Sequence, residues 1–314
     1  MNKSLIVARK EFTDAITSKR FWLVVGLFVL LYIANIFITS SAFRTGELGP
    51  IRLMLQIGSN VASTVGLMAP ILGIALAFDA ISGERERGTL RILLSRPIYR
   101  EDVINGKIMS ALAVIGLTIT ISSLLSVSAS ILLQGITVTS DDIVRLCLFI
   151  VLSILFSFAY YTISLFISTF SSRSGHSLII SLGTWIFFAL ILPLLGSLIS
   201  YVILGPAPAI NTAFRPGQQI GNFTRQLPQS YIDYQAKVAQ ITNTVQMISI
   251  NHHFSLISDS LFGSVRAAFG QEVVREIDLL GILSSRLIDL LVLMVFPVIF
   301  LVASYATFTR RQEK

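Results

Sequence analysis

A polypeptide of 314 residues with one cysteine, three histidines and charge on only 13% of its side chains lacks the material for several kinds of chemistry. The lone thiol, Cys147, lies inside an apolar run, which excludes an intrachain disulfide and a cysteine-based metal site. No G-x-x-x-x-G-K-[ST] loop occurs, so the chain has no phosphate-cradling loop with which to bind ATP itself. H-E-x-x-H and G-x-S-x-G are also missing, and with them the signatures of zinc proteases and serine hydrolases. His252-His253 with Asp259 is the one histidine-rich spot, but neighbours in sequence point to different faces of a helix or strand and rarely serve one metal. Acids are nearly absent from the apolar runs; Asp79 and Asp289 sit close to their ends. Ion-driven transporters hold ionisable groups at mid-membrane, so this scarcity points to energy supplied from elsewhere.

What the chain does have is oil. Hydrophobic residues make up 54% of it and mean hydropathy is +0.77. Runs of ~18 or more apolar residues recur, the length a helix needs to cross a bilayer. The alternating segments of a transmembrane β-barrel do not occur. The fold class read from this pattern is an all-α integral membrane protein of six spans: Phe21–Phe43, roughly Ile57–Ile81, Ile108–Leu133, Ile143–Phe170, Leu178–Leu204 and Arg286–Phe308. Met1–Arg20 reads as an amphipathic interfacial helix with Leu5, Ala8, Phe12 and Ala15/Ile16 on one face, too polar for a cleavable signal peptide. Residues 205–285 are polar and predicted to form a mostly helical extracytoplasmic insertion, with helices expected over Tyr231–Ile250, Phe254–Phe269 and Glu272–Leu283. The domain reading is thus 1–20, 21–204 with a cytoplasmic loop at 82–107, 205–285, and 286–314.

The net charge of +7 follows the membrane pattern rather than a nucleic-acid one. Lys3, Arg9, Lys10, Lys19, Arg20, Arg173, Arg310, Arg311, Lys314 and the six cations of the 83–107 loop fall on one side. The short loops on the other side carry only Arg44, Arg52 and Arg145. Both termini are therefore expected in the cytoplasm of a multi-pass cytoplasmic-membrane protein. Two small-residue patterns accompany the spans: Gly58, Ala62 and Gly66, which allow close helix packing, and Ser122, Ser126 and Ser130, expected to bond to carbonyls of their own or a neighbouring helix.

Gly83 to Pro97, an island of charge, carries the most information. Gly88 is suited to break the helical extension of the second span, Thr89 to cap a short new helix, and Pro97 to end it. Leu90, Leu93 and Leu94 give that helix an apolar side fit for a groove in a partner, and Glu84, Arg85, Glu86, Arg87 and Arg91 are placed to fix its register by ion pairs. The pattern Asp79-x-x-x-Gly83-Glu84-Arg85-Glu86-x-Gly88-Thr89-Leu90, then Leu93-Leu94-Ser95-x-Pro97, resembles the cytoplasmic coupling motif of ABC transporter permease subunits of the type-2 exporter class. Arg100 and Gly106-Lys107 continue it into the third span. Ala8-Arg9-Lys10-Glu11-Phe12 followed by Ser18-Lys19-Arg20-Phe21-Trp22 is similar to the connecting helix of that family, which includes the permease group of nitrous-oxide-reductase maturation.

The resemblance implies a non-enzymatic membrane subunit that pairs with a second permease, homo- or heterodimeric, in contact with membrane lipids. Separate ABC ATPase subunits, carrying ATP and Mg, would dock on Arg9, Lys10, Glu11 and the 84–97 stretch and drive export of a substrate the sequence does not specify. Two other readings stand beside it. One is a membrane-anchored sensor or scaffold whose outer domain binds a ligand. The other is an enzyme at the outer face, for which residues 205–285 offer only His252, His253 and scattered acids.

Overall fold

The computed structural model describes residues 3–44, 50–89, 99–134, 138–208, 229–262, 281 and 284–310. In chain order they form α1 (Lys3–Thr17), α2 (Lys19–Arg44), α3 (Pro50–Ala77), α4 (Ser82–Glu86), α5 (Arg100–Gln134), α6 (Ser140–Phe170) and α7 (Ser174–Ile186). A π-helical turn (Phe187–Ile191), α8 (Leu192–Leu204), α9 (Gln229–Gln246), α10 (Ile250–Phe262) and α11 (Leu287–Arg310) follow. No strand occurs among the described residues. Six helical stretches are long and apolar enough to cross a membrane, one for each expected span.

The centre is the pair α3 and α6. At Gly73 the absent side chain lets the α6 backbone come so near that a Cβ would sit 2.8 Å from the Tyr161 nitrogen and closer still to the Ser157 carbonyl. Ser157 Oγ donates to the Ala69 carbonyl at 2.7 Å in the same place. Small residues bring membrane helices together because dispersion contacts replace a hydrophobic drive that lipid does not supply. Gly58, Ala62 and Gly66 serve a different neighbour than another span. Gly58 receives the Phe262 ring and Gly66 faces Phe254, so this stripe seats α10. Phe254 stacks on Phe156 with centroids 4.2 Å apart, and Ile250, Ile257 and Leu261 are buried with it. Helix α10, drawn from the polar insertion, is thus part of the hydrophobic core.

Boundaries differ from expectation where capping chemistry decides them. α6 starts at Ser140, three residues before the predicted span, because Thr139 and Asp142 form a reciprocal capping box. α3 starts at Pro50, where the missing N–H costs a helix nothing. The charged segment is less of a loop than predicted. Ser82–Glu86 is helical, Gly88 ends it at φ +70°, and Arg100–Lys107 form the first two turns of α5. The expected helices Tyr231–Ile250 and Phe254–Phe269 correspond to α9 and α10; Glu272–Leu283 lies outside the described residues apart from residue 281.

The fifth span is interrupted. Pro193 has no N–H to offer the turn before it, and Leu192 N–H instead reaches back to the Phe187 carbonyl, one residue further than an α-helix uses. Beyond the π turn, Gly196 seats Thr242 of α9, and Ser200 Oγ approaches both Thr242 Oγ1 and the Val238 carbonyl at 3.4 Å.

The acids at the two span ends are both partnered. Arg20 pairs with Asp79, and its guanidinium also lies over the Phe78 ring. His253 Nδ1 is 2.6 Å from Asp289 and its Nε2 is 2.8 Å from the Met247 carbonyl. Both ring nitrogens thus face oxygen atoms, and Arg286 Nη1 lies 3.6 Å from the other carboxylate oxygen of Asp289. His252 turns away from this contact, its ring 61° to that of His253. Among the described residues no group of three or more potential ligands is arranged for a metal.

Candidate functional site

The helix ends on the α1 side of the molecule converge on α4. A five-residue helix cannot hold itself together, because nucleation is unfavourable and it closes few internal bonds. α4 is held instead by its charges. Arg85 Nη1 donates to the carbonyls of Thr169 at 3.2 Å and Ser171 at 2.6 Å, closing the C-terminal end of α6. Glu86 accepts from the backbone N–H of Ser174 at 2.9 Å and from its hydroxyl at 2.7 Å, closing the N-terminal end of α7. Each charge meets the helix pole of opposite sign. Thr89 Oγ1 donates to the Glu84 carbonyl at the end of α4 itself. Ser168, near the C-terminal end of α6, accepts from the backbone of Ile81 and Ser82 and donates to Ser82 Oγ.

Glu84 points the other way, to α5. Lys107 Nζ is 2.8 Å from Glu84 Oε1 and 3.0 Å from Glu11 Oε2, and only 4% of the lysine side chain is exposed. One ammonium therefore joins α1, α4 and the third span. The contact is possible because Gly106 has no side chain: a Cβ there would lie 2.6 Å from Val7 and 3.0 Å from the Ser4 carbonyl. Ser4 Oγ adds a bond to Asp102 at 2.7 Å. This groove sets the rotation of α1. Val7 and Ala8 are buried with Ser4, whereas Leu5 is 53% exposed. Arg100 in turn donates to the Phe308 carbonyl at the end of α11.

Burial alone would raise the Glu11 carboxyl, but Lys107 and Lys10 more than offset it, and the group sits below its ordinary value of 4.5. A depressed folded-state value stabilises the attachment of α1 at pH above the unfolded value and loses that contribution as pH falls through the folded one. Hydrogen-exchange protection of Val7 and Ala8 is therefore expected to hold at neutral pH and to weaken only below about pH 4.5. Loss of protection already at pH 6 would contradict it.

Most of the residues assigned to docking from sequence meet here. Glu11, Glu84, Arg85 and Glu86 have partners within the chain; Arg9, Lys10, Arg87, Gly88 and Thr89 are exposed. Leu90, Arg91, Leu93, Leu94 and Pro97 lie outside the described residues. Sequence reading placed Lys107 in a loop and missed it as the keystone. The available signal was its position: it is the last charged residue before 27 uncharged ones complete α5. Asp102, Ser168 and Ser174 carried no such signal.

What the arrangement can do is mechanical. α4 is bonded to the C-terminal end of α6, the N-terminal end of α7 and the second turn of α5, so it could pass a load to three helices. The chain matches the family described as ABC-2 family transporter protein over residues 5–312. It is 26% identical over 198 residues to the probable ABC transporter permease protein NosY of Stutzerimonas stutzeri, covering 62% of this chain and 69% of that protein. The protein of the same name from Pseudomonas aeruginosa is 28% identical over 199 residues, 60% of this chain and 67% of that one.

Proposed function

The chain belongs to the ABC-2 transporter family, and from that premise we propose that it is the permease subunit of an ATP-driven exporter, worked by separate ATPase subunits that dock on the exposed side of α1 and on the stretch following α4. The observation that carries the reading is the Glu11–Lys107–Glu84 cluster, which makes α1, α4 and α5 a single receiving element. Pressure on α1 or on residues 87–97 reaches the third span through a buried ion cluster, and reaches α6 and α7 through Arg85 and Glu86. Rocking of packed helices then changes access across the membrane. ATP and Mg belong to the partner, and hydrolysis needs no group of this chain. The fifth span is the least enclosed of the six, which suits a second permease subunit against it. Both termini face the cytoplasm in this arrangement.

The test is co-purification with a co-expressed ABC ATPase partner, using Leu90→Asp with Leu94→Asp. Apolar side chains at a docking groove contribute ~1.5–3 kcal/mol each, so recovery of the ATPase should fall at least tenfold while the variant's own thermal unfolding stays put. If the double variant retains the ATPase and its coupled hydrolysis, docking through this stretch is wrong.

A further inference from the structure

A cavity of about 280 Å³ opens between α3, the π turn of the fifth span and α10. Its α3 wall is built of small residues, Ser59, Ala62, Ser63 and Gly66, at the i, i+3, i+4 and i+7 positions of one helix face. Phe188, Ala189 and Pro193 form a second wall, and Asn251, His252 and Ser255 of α10 a third. Gln246, the last residue of α9, joins them. Ser249 Oγ donates to the Phe188 carbonyl at 3.1 Å and so pins the π turn to the residue before α10. The Tyr160 hydroxyl donates to Asn251 Oδ1, which sets the depth. From Tyr160 to the end of α6 at Phe170 is about 15 Å of helix, half of a bilayer's hydrocarbon thickness. Polar side chains at that depth need partners, because lipid supplies none.

The polar groups around the cavity differ in what they have left to offer. Ser63 Oγ donates to the Ser59 carbonyl at 2.9 Å and Ser255 Oγ to the His252 carbonyl at 2.8 Å, so both hydroxyls spend their protons on their own helices and present lone pairs. Asn251 has its oxygen engaged by Tyr160 and keeps its amide N–H groups. The side chains of Ser59, Gln246 and His252 have no hydrogen-bond partner among the described residues, and each is partly exposed. Among the described residues no lysine or arginine lines the cavity. Asp259 does, and it is already engaged within the chain. Burial, and after it the neighbouring His253, hold the His252 imidazole below its ordinary value of 6.5, so the ring is uncharged at neutral pH. An anion would meet acceptor oxygens and no cation here, and a hydrocarbon would leave the polar groups unsatisfied.

We infer that the cavity binds a neutral polyol of monosaccharide size. A pyranose carries hydroxyls around its rim that donate to the lone pairs of Ser63 and Ser255 and accept from the amides of Asn251 and Gln246. Its C–H faces suit the apolar surface of Ala62, Pro193 and Phe188, the mixture of apolar wall and few placed polar groups that small-molecule sites use. The volume, near the small end of such sites, admits one ring. A cationic ligand would need a carboxylate to itself, and Asp259 is not so placed. That the ring is cargo rests on the permease reading above; binding itself does not.

Saturation-transfer NMR of the purified full chain, in a detergent without a sugar headgroup, tests this. Glucose, glucosamine and glucose 6-phosphate serve as neutral, cationic and anionic probes built on one ring. Glucose should give a saturable signal, and the two charged probes should bind at least about fivefold more weakly. Gln246→Ala with His252→Ala removes two hydrogen bonds and should weaken glucose roughly tenfold. Ser63→Phe and Ser255→Phe, at exposed positions on opposite walls, should each abolish the signal, and Ile288→Ala, on an exposed face of α11, should leave it intact. Unchanged thermal unfolding of each variant separates loss of the site from loss of the fold. Octyl glucoside binding about tenfold more tightly than methyl glucoside would assign the ring to the headgroup of a glycolipid, and parity would assign it to a free sugar. No saturable glucose signal, or a signal undiminished in both phenylalanine variants, would mean that the cavity holds water only and overturn the assignment. Tighter binding of glucosamine would overturn it in favour of an amine. None of these measurements includes the ATPase, so they stand or fall separately from the docking test.

Discussion

Lys107→Met should unfold the α1 side of the molecule. The substitution keeps the length and most of the volume of the side chain and removes only its charge. Glu11 and Glu84 then face each other with no ammonium between them, in a place where the lysine they have lost was 4% exposed. Removing one partner of a buried ion cluster leaves uncompensated charge out of water and costs about 3–5 kcal/mol, more than the pairing itself is worth. Denaturant unfolding in micelles should show the loss, and limited proteolysis should cut first around α1. Adding Glu11→Gln and Glu84→Gln to Lys107→Met should restore most of the stability, because neutral groups of similar shape have no charge to desolvate. A single variant that unfolds together with the parent protein would show that the cluster does not hold α1.

Gly73→Ala is the second large effect, and it arises from one methyl group. That methyl would meet the Tyr161 nitrogen at 2.8 Å and the Ser157 carbonyl closer still. Both are backbone atoms of α6, so no rotamer change relieves the contact. The helices must separate, which weakens the Ser157 bond to the Ala69 carbonyl and opens the close contact of α3 with α6. Overpacking typically costs 1–3 kcal/mol where side chains can yield, so roughly 3 kcal/mol or more is expected here. Gly26→Ala and Gly183→Ala supply the contrast. Nothing lies within 4 Å of a Cβ at either position, and alanine is the better helix former by up to ~1 kcal/mol. Thermal unfolding in one detergent should drop for Gly73→Ala and hold or rise for the other two. Equal behaviour of the three would remove Gly73 from the core contact.

The six spans were legible because a bilayer imposes length and hydropathy on each helix separately, with no need to know its neighbours. Gly88 was legible for the same reason: a positive φ is a local requirement. Partnership was harder. Glu84 and Glu86 look alike in sequence, yet one faces α5 and the other caps α7, and that choice depends on where two distant helices begin and end. Apolar spacing along α1 could not single out Val7, which the groove at Gly106, about a hundred residues away, selects. The stripe Gly58, Ala62 and Gly66 announced close packing but could not name its occupant, since the polar stretch around α10 hides the apolar face of Ile250, Phe254, Ile257 and Leu261.

The π turn in the fifth span carries a geometric meaning of its own. Ser177 and Ser181 are the buried positions of α7, and Leu192, Gly196 and Ser200 those of α8. Ser181 and Leu192 are eleven positions apart, close to three full turns at ~100° per residue, so an unbroken α-helix would aim them the same way. The wider turn between them takes up an extra residue and puts the two halves out of phase. Ser181 thereby meets Ser164 of α6 at 2.9 Å, while Gly196 and Ser200 look toward α9. A single inserted residue thus lets one rod be read from two compass bearings, with its first half registered to α6 and its second half to α9.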